Sequence, residues 1–265
     1  VDLQLTGRRA VVTGASRGIG RAVALALAAE GARVALVARD ADRLAETAAA
    51  VRRHGGTALV RPADTREDAD VQAMVAEVAD VWGGVDVLVN AAARPASSAP
   101  VPALAELADD ALREELETKV LGYLRCARAV APHMVAAGWG RIINVSGLNA
   151  RISGSLVGSV RNVAVAAMTK NLADELGPSG ITVTVVHPGT TVTESLPRRL
   201  ADRAAREGCS AEELTDRLAA GTSIGRLVTA AEVADVVAFL ASPRSAVITG
   251  DAIAVGGGTR GAIHY

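Results

Sequence analysis

Short runs of β-branched residues alternate along the chain with longer Ala- and Leu-rich stretches whose apolar positions recur at helical spacing. The runs 9–13, 33–38, 57–61, 85–90, 141–145, 181–187 and 251–255 predict strands. Between them, 20–30, 41–54, 67–82, 111–137, 156–176 and 231–241 predict helices. Strands separated by helices are βαβ units, which build a parallel sheet covered on both faces. The unbroken apolar stretches Val34-Ala35-Leu36-Val37 and Val87-Leu88-Val89 suit strands buried on both sides. No linker-like Pro/Ser tract or charge block interrupts the pattern, so residues 1–265 are expected to form one domain. Only 194–223, polar, Arg-rich and weakly helical, breaks the alternation, and it is expected to be a flap over a site.

Composition narrows the function. Aromatic residues are 2% of the chain, so the core must be aliphatic and stacking platforms for bases are almost excluded. A net charge of −1 argues against general attraction to nucleic acid or to an anionic membrane. Two cysteines, Cys126 and Cys209, and four scattered histidines give neither a disulfide framework nor a metal-site spacing. No apolar run approaches the ~20 residues that span a bilayer, and the start shows no signal-peptide pattern. A cytoplasmic protein is the expectation.

Thr13-Gly14-Ala15-Ser16-Arg17-Gly18-Ile19-Gly20 follows the first predicted strand and opens the first predicted helix. Glycine allows the tight turn and close approach of main chain to a pyrophosphate, and the helix N-terminus offers free N–H groups to it. A nucleotide is therefore expected here. At the end of the second strand stands Ala38, followed by Arg39, with Arg17 in the glycine loop. A carboxylate there would accept from the ribose hydroxyls of NAD and repel the 2′-phosphate of NADP; two arginines without that acid favour NADP(H) over NAD(H). The competing account is a pair of solvated surface arginines.

Gly14-x-x-x-Gly18-x-Gly20 resembles the cofactor fingerprint of the classical short-chain dehydrogenase/reductase family, and further stretches agree along almost the whole chain. Asp64-Thr65 is similar to the pair that holds the adenine ring, and Leu88-Val89-Asn90-Ala91-Ala92-Ala93 to the family's Asn-Asn-Ala-Gly stretch, with its first Asn kept. Pro188-Gly189 with Thr193 resembles the turn that meets the nicotinamide end. Ile224 to Leu227, Glu232 to Ala234 and Ile248 to Gly250 match the family's C-terminal third. The resemblance implies a single Rossmann-type α/β domain, doubly wound around a seven-stranded parallel sheet. It also implies cofactor contacts from Gly14, Ser16, Arg17, Gly18, Ile19, Gly20, Arg39, Asp64, Thr65, Asn90, Ala91, Ala92, Pro188, Gly189 and Thr193, and a homo-oligomer, dimer or tetramer.

The family's reaction uses a Tyr-x-x-x-Lys pair, and here the chain departs from it. Registering on Met168 to Gly177 puts Gly158 at the tyrosine's place and Asn162 at the lysine's. The family's active serine falls on Gly147, leaving Ser146, Asn149 or Ser153 as sources of a hydroxyl or amide. Its helix asparagine falls on Lys119, one of two lysines beside twenty-six arginines. Lys and Asn have thus exchanged helices. Lys119, a compact and tunable ammonium, is expected to reach the usual lysine's place, while Asn162 binds ribose or water. The competing account is an ammonium that snorkels to solvent.

A desolvated Lys119 is the expected acid or base. His187 and Tyr123 are further candidates, His264 and Tyr265 would act across an interface, and Arg94, Arg151 and Arg161 would border the pocket. The site so assembled, with catalytic residues Lys119, Asn162 and Ser146 and no metal, implies an NADP(H)-dependent oxidoreductase on a small carbonyl or alcohol. Two rivals stand beside it. One is an NADP(H)-binding sensor or partner subunit without redox turnover; the other is a non-redox dehydratase or isomerase reusing the pocket.

Overall fold

Strands β1 (Arg9–Thr13) and β2 (Arg33–Ala38) run parallel, with Arg9 beside Arg33 and Thr13 beside Val37. Ala10 and Val12 face one layer of the core while Val11 faces the other. That two-sided burial is why these strands read as continuous apolar runs rather than as an alternation. The computed structural model describes residues 1–93 and 100–260, so the expectations for Arg94, His264 and Tyr265 lie outside the described residues.

The chain continues through β3 (Thr57–Pro62), β4 (Val87–Asn90), β5 (Gly140–Val145) and β6 (Ile181–Pro188). A two-residue ribbon, β7 (Thr191–Val192) with β8 (Val228–Thr229), precedes the last sheet strand, β9 (Ala252–Val255). The main sheet is seven-stranded in the order β3-β2-β1-β4-β5-β6-β9, and every pairing in it is parallel. Helices α1 (Gly18–Ala29) and α2 (Ala41–Arg53) lie on one face. The opposite face carries α3 (Asp68–Trp82). This is the expected doubly wound fold. The strand order reverses between β1 and β4, the place where an open α/β sheet leaves a crevice at its strand ends.

The predicted helix 111–137 is three pieces: α4 (Asp109–Glu115), a π-helical stretch Leu116–Leu121, and α5 (Gly122–Ala137). The widened stretch carries Lys119, 4% exposed, and such bulges concentrate at functional sites. Helix α6 (Leu156–Leu176) has the predicted bounds, and its first turn is capped by Ser155, whose hydroxyl accepts from the Gly158 N–H at 3.1 Å. Residues 194–223, expected to be weakly helical, form two helices, α7 (Leu196–Glu207) and α8 (Ala211–Ala220). A reciprocal cap between Ser210 and Glu213 starts the second, and buried Leu196, Ala204 and Leu214 tie the pair down. Helix α9 (Ala230–Ala241) packs on α1.

Candidate cofactor cleft and active site

A cleft of about 1330 Å³ opens at the strand ends beside β1 and β4. Its floor starts at the glycine loop. Gly14 has φ +69°, and a Cβ there would stand 2.6 Å from the Ala91 carbonyl oxygen; at Gly20 it would stand 2.3 Å from the Gly14 oxygen. The loop can therefore lie against the β4 turn only without side chains at these positions. The Thr13 hydroxyl accepts from the Ala91 and Ala92 N–H groups at 3.1 and 3.2 Å, which fixes the two loops to each other. At the start of α1 the Gly18 N–H donates to the Glu194 carboxylate at 3.0 Å. The phosphate-loop amide already holds an anionic oxygen, as a helix N-terminus favours.

Arg39 extends from the end of β2, two-thirds exposed, with its nearest acid, Asp64, at 3.9 Å. Asp64 is engaged by the Arg66 guanidinium, at 2.6 Å for the shortest contact. Hydrogen bonds from Arg66 hold the Asp64 carboxyl below the usual carboxylate range, against the opposing effect of burial. Ala38 itself carries no acid at the strand end, and the nearby Asp40, which also lines the cleft, is spent as the cap of α2, accepting from the Arg43 N–H at 3.1 Å.

At the other end of the cleft, the Lys119 ammonium donates to the Ser146 carbonyl at 2.9 Å and to Asn162 Oδ1 at 3.4 Å. The Ser146 hydroxyl donates to the Asn162 carbonyl at 3.3 Å. Lys119, Asn162 and Ser146, expected as the catalytic set, are thus one bonded cluster, and Lys119 does not snorkel to solvent. Burial, then the neighbouring Arg161 charge, lower the Lys119 pKa from 10.5 to about 7, while Glu115 works against them. A lysine in that range can give up a proton as the ammonium or take one as the amine near neutrality.

Of the expected cofactor contacts, Gly14, Ser16, Arg17, Gly18, Ile19 and Gly20 line the cleft at the loop, and Arg39, Asp64 and Thr65 line its far end. Ala91, Ala92, Thr193, Lys119 and Ser146 complete that wall. Four expected residues do not line it. Asn90 is fully buried and donates to Asn144 Oδ1 at 3.0 Å, inside the sheet. Pro188 ends β6, and Gly189 donates its N–H to the Val255 carbonyl, so this turn positions Thr193 without lining the cleft. Asn162, 1% exposed, lies behind Lys119 and accepts from it.

Other candidates are spent elsewhere. The Tyr123 phenol donates to the Val145 carbonyl at 2.9 Å, and burial pushes its pKa up, which makes it a structural anchor of α5. His187 is buried, with Nδ1 3.4 Å from the Gly147 N–H, away from the cleft lining. Arg151 donates to the Ala252 carbonyl at 2.6 Å. At Gly158, an added Cβ would meet the Ser155 hydroxyl at 2.9 Å and the Asn149 amide at 3.3 Å, so this first turn of α6 is closely lined by polar groups. Sequence reasoning missed Glu115, Arg66 and Glu194. Glu115 pairs with Arg161 across forty-six residues, a separation no local spacing rule reports. Among the described residues no group of three metal-ligating side chains occurs, and no helix is long and apolar enough to cross a membrane.

Comparison with known proteins agrees with this geometry. Residues 14–260 match the family described as enoyl-(acyl carrier protein) reductase. The chain is 37% identical over 250 residues to the short-chain reductase protein NovJ of Streptomyces niveus, covering 94% of this chain and 92% of that protein. This chain is a short-chain dehydrogenase/reductase. It is also 32% identical over 262 residues to the 3-oxoacyl-[acyl-carrier-protein] reductase FabG of Staphylococcus epidermidis, covering 95% and 98% of the two chains. Its fold superimposes on L-sorbose reductase from Gluconobacter frateurii, solved with NADPH and L-sorbose, with a TM-score of 0.91 at 30% identity over 99% of this chain and 100% of that one.

The short-chain dehydrogenase/reductase fold accounts for the loop, and the residues present fit a dinucleotide. The cradle at Gly14 and Gly20 admits main chain only, the Gly18 amide is aimed at an anion, and Arg17 and Arg39 both line the cleft.

Proposed function

We propose that this protein is an NADP(H)-dependent oxidoreductase acting on a carbonyl/alcohol pair, with Lys119 in the part that a Tyr–Lys pair plays in the family. The observation that carries the reading is the buried ammonium of Lys119 on the cleft wall, bonded to Ser146 and Asn162. Reduction of a carbonyl needs a hydride at carbon and a proton at oxygen. A bound reduced nicotinamide supplies the hydride.

The chain's own residues do the rest. Gly14 to Gly20 and the α1 N-terminus would hold the diphosphate, and Arg17 and Arg39 would take the 2′-phosphate. Thr193, on the cleft lining, would meet the nicotinamide end. Lys119 Nζ gives its proton to the forming alkoxide, and the Ser146 carbonyl holds the ammonium in place. Asn162 orients Lys119 and turns its amide nitrogen toward Gly147, where an added Cβ would lie 3.0 Å away. Residues 194–223, whose Thr193–Ser195 approach lines the cleft, serve as the covering flap. A ketone class is supported by the relatives named above, reductases of an acyl-carrier-bound ketone and of a keto sugar.

A second reading has one observation in its favour. Gly147 and Gly158 provide no hydroxyl where the family pattern puts its serine and tyrosine, which suits a subunit that binds cofactor without turning it over. One experiment separates the two. NADPH fluorescence titration reads binding, and loss of reduced-nicotinamide absorbance against a panel of ketones, including a 3-oxoacyl thioester and sorbose, reads hydride transfer. Binding with turnover that vanishes in Lys119→Met supports the first reading. Binding with no turnover supports the second, and no binding removes both.

A further inference from the structure

The guanidinium of Arg161, on α6, is ion-paired with the Glu115 carboxylate at the end of α4, and each side chain is about four-fifths buried. The pair joins two elements whose contact brings the π-helical stretch against α6. Arg161 Nε also donates to Asn162 Oδ1 at 3.3 Å, the same oxygen that accepts from Lys119 at 3.4 Å. One amide oxygen therefore sits between two cations, and one carboxylate balances them. Such an arrangement is costly unless each partner is held, because two like charges share a poorly hydrated space.

We propose that the Glu115–Arg161 pair is a positioning device for the site: Arg161 holds Asn162 Oδ1 toward Lys119, and Arg161 and Glu115 oppose each other in setting the pH range over which Lys119 carries its proton. The catalytic consequence rests on the reading of Lys119 as the acid; the placement of the groups does not. Asn162, whose place in the family belongs to a lysine, is an acceptor here because both of its neighbours are donors. With its oxygen engaged by cations, its amide nitrogen is left facing Gly147.

The other charged and titratable groups around Lys119 are engaged otherwise. On α4, Arg113 pairs with Asp109 and Asp110, and Glu114 lines the cleft. Within the π-helical stretch, Glu117 pairs with Arg125 of α5 at 2.7 Å. The Tyr123 phenol is committed to Val145, and His187 of β6 lies behind Gly147. Of the charges that act on Lys119, Arg161 opposes its protonated form and Glu115 favours it.

The chain's composition supplies the test. It has two lysines, Lys119 and Lys170, so protein labelled with ¹³C at lysine Cε gives two signals, and Lys170→Arg assigns them. Lys170 is exposed, in an ion pair with Asp174. The Lys119 midpoint is then read directly by titration, without substrate. Arg161→Met is expected to move it upward and Glu115→Gln downward, each by about one pH unit or more, as a charge at this range does. Arg161→Lys should stay near the parent, and the double variant should return toward it.

A merely structural role would move both single variants in the same direction, because each breaks the same pair. Shifts of the same sign, or no shift in either variant, would overturn the proposal. The alkaline limb of kcat/KM against pH in the reductive direction, where Lys119 loses the proton it must donate, is followed in the same variants. If the limb tracks the resonance, Lys119 is the acid. Opposite resonance shifts without a matching limb leave the positioning pair standing and remove the reading of Lys119 as proton donor.

Discussion

Replacing Lys119 by Met should stabilise the protein while removing its activity, and the stabilisation should depend on pH. In the fold the ammonium titrates at about 7, against 10.5 for a free lysine. That difference corresponds to roughly 4 to 5 kcal/mol of disfavoured charge at pH values below 7. Between about pH 7 and 10.5 the unfolded chain binds the proton and the folded chain does not, so parent stability rises with pH across this window. Methionine fills much of the same volume without the charge. It leaves the Ser146 carbonyl without its donor, a cost of about 1–3 kcal/mol, whereas Asn162 Oδ1 keeps its bond from Arg161.

The net expectation is a gain of about 1–4 kcal/mol near pH 6.5 that shrinks as pH rises and turns into a loss of up to about 2 kcal/mol by pH 10, where only the missing donor to Ser146 remains. For a chain of this size each kcal/mol is worth roughly 2–4 °C in Tm. Thermal unfolding followed by circular dichroism at pH 6.5, 8 and 10, parent against variant, reads the difference directly. A Tm difference that does not change with pH would refute the argument, since it would mean that Lys119 is charged in the fold throughout. So would a variant less stable than the parent at every pH.

Three further outcomes are expected. Asp86 accepts from Arg9 at 2.8 and 2.6 Å and is 7% exposed, so Asp86→Ala, which leaves a half-buried guanidinium unpaired, should cost about 3 kcal/mol in urea unfolding at pH 7. Burial pushes the Asp86 carboxyl up, but the bonds from Arg9 outweigh it and leave it below the ordinary range; the parent's advantage should therefore fade as the pH drops below about 4. Glu194→Gln removes the charge that occupies the Gly18 amide. NADPH should then bind about two- to five-fold tighter by fluorescence titration, and unchanged affinity would show that the carboxylate does not compete with phosphate. Gly20→Ala would place a methyl 2.3 Å from the Gly14 oxygen, so nucleotide affinity should fall by at least about tenfold, with a loss of about 1–3 kcal/mol in stability.

The sheet was legible because its strands are buried on both faces. Val34 to Val37 and Val87 to Val89 carry no polar position, and the helices between them keep one apolar stripe each. The glycine loop was legible for a related reason: a main chain that must approach another main chain to within van der Waals distance tolerates no Cβ, and that requirement is written one residue at a time. Such local requirements suffice to place Gly14, Gly20 and the strand ends. What they do not contain is the partner of a buried charge. Glu115 meets Arg161, and Lys119 meets Ser146 and Asn162, only because α4, the π-helical stretch, β5 and α6 converge. Lys119 and Asn162 could be picked out in the chain, but whether the ammonium turned inward or out to solvent depended on packing. Desolvation and the balance of two opposing neighbours decide the state of Lys119, and both are properties of distance in three dimensions. Asn90 teaches the same lesson from the other side: it matched the pattern of a cofactor contact, and tertiary packing used its amide to bind Asn144 within the sheet.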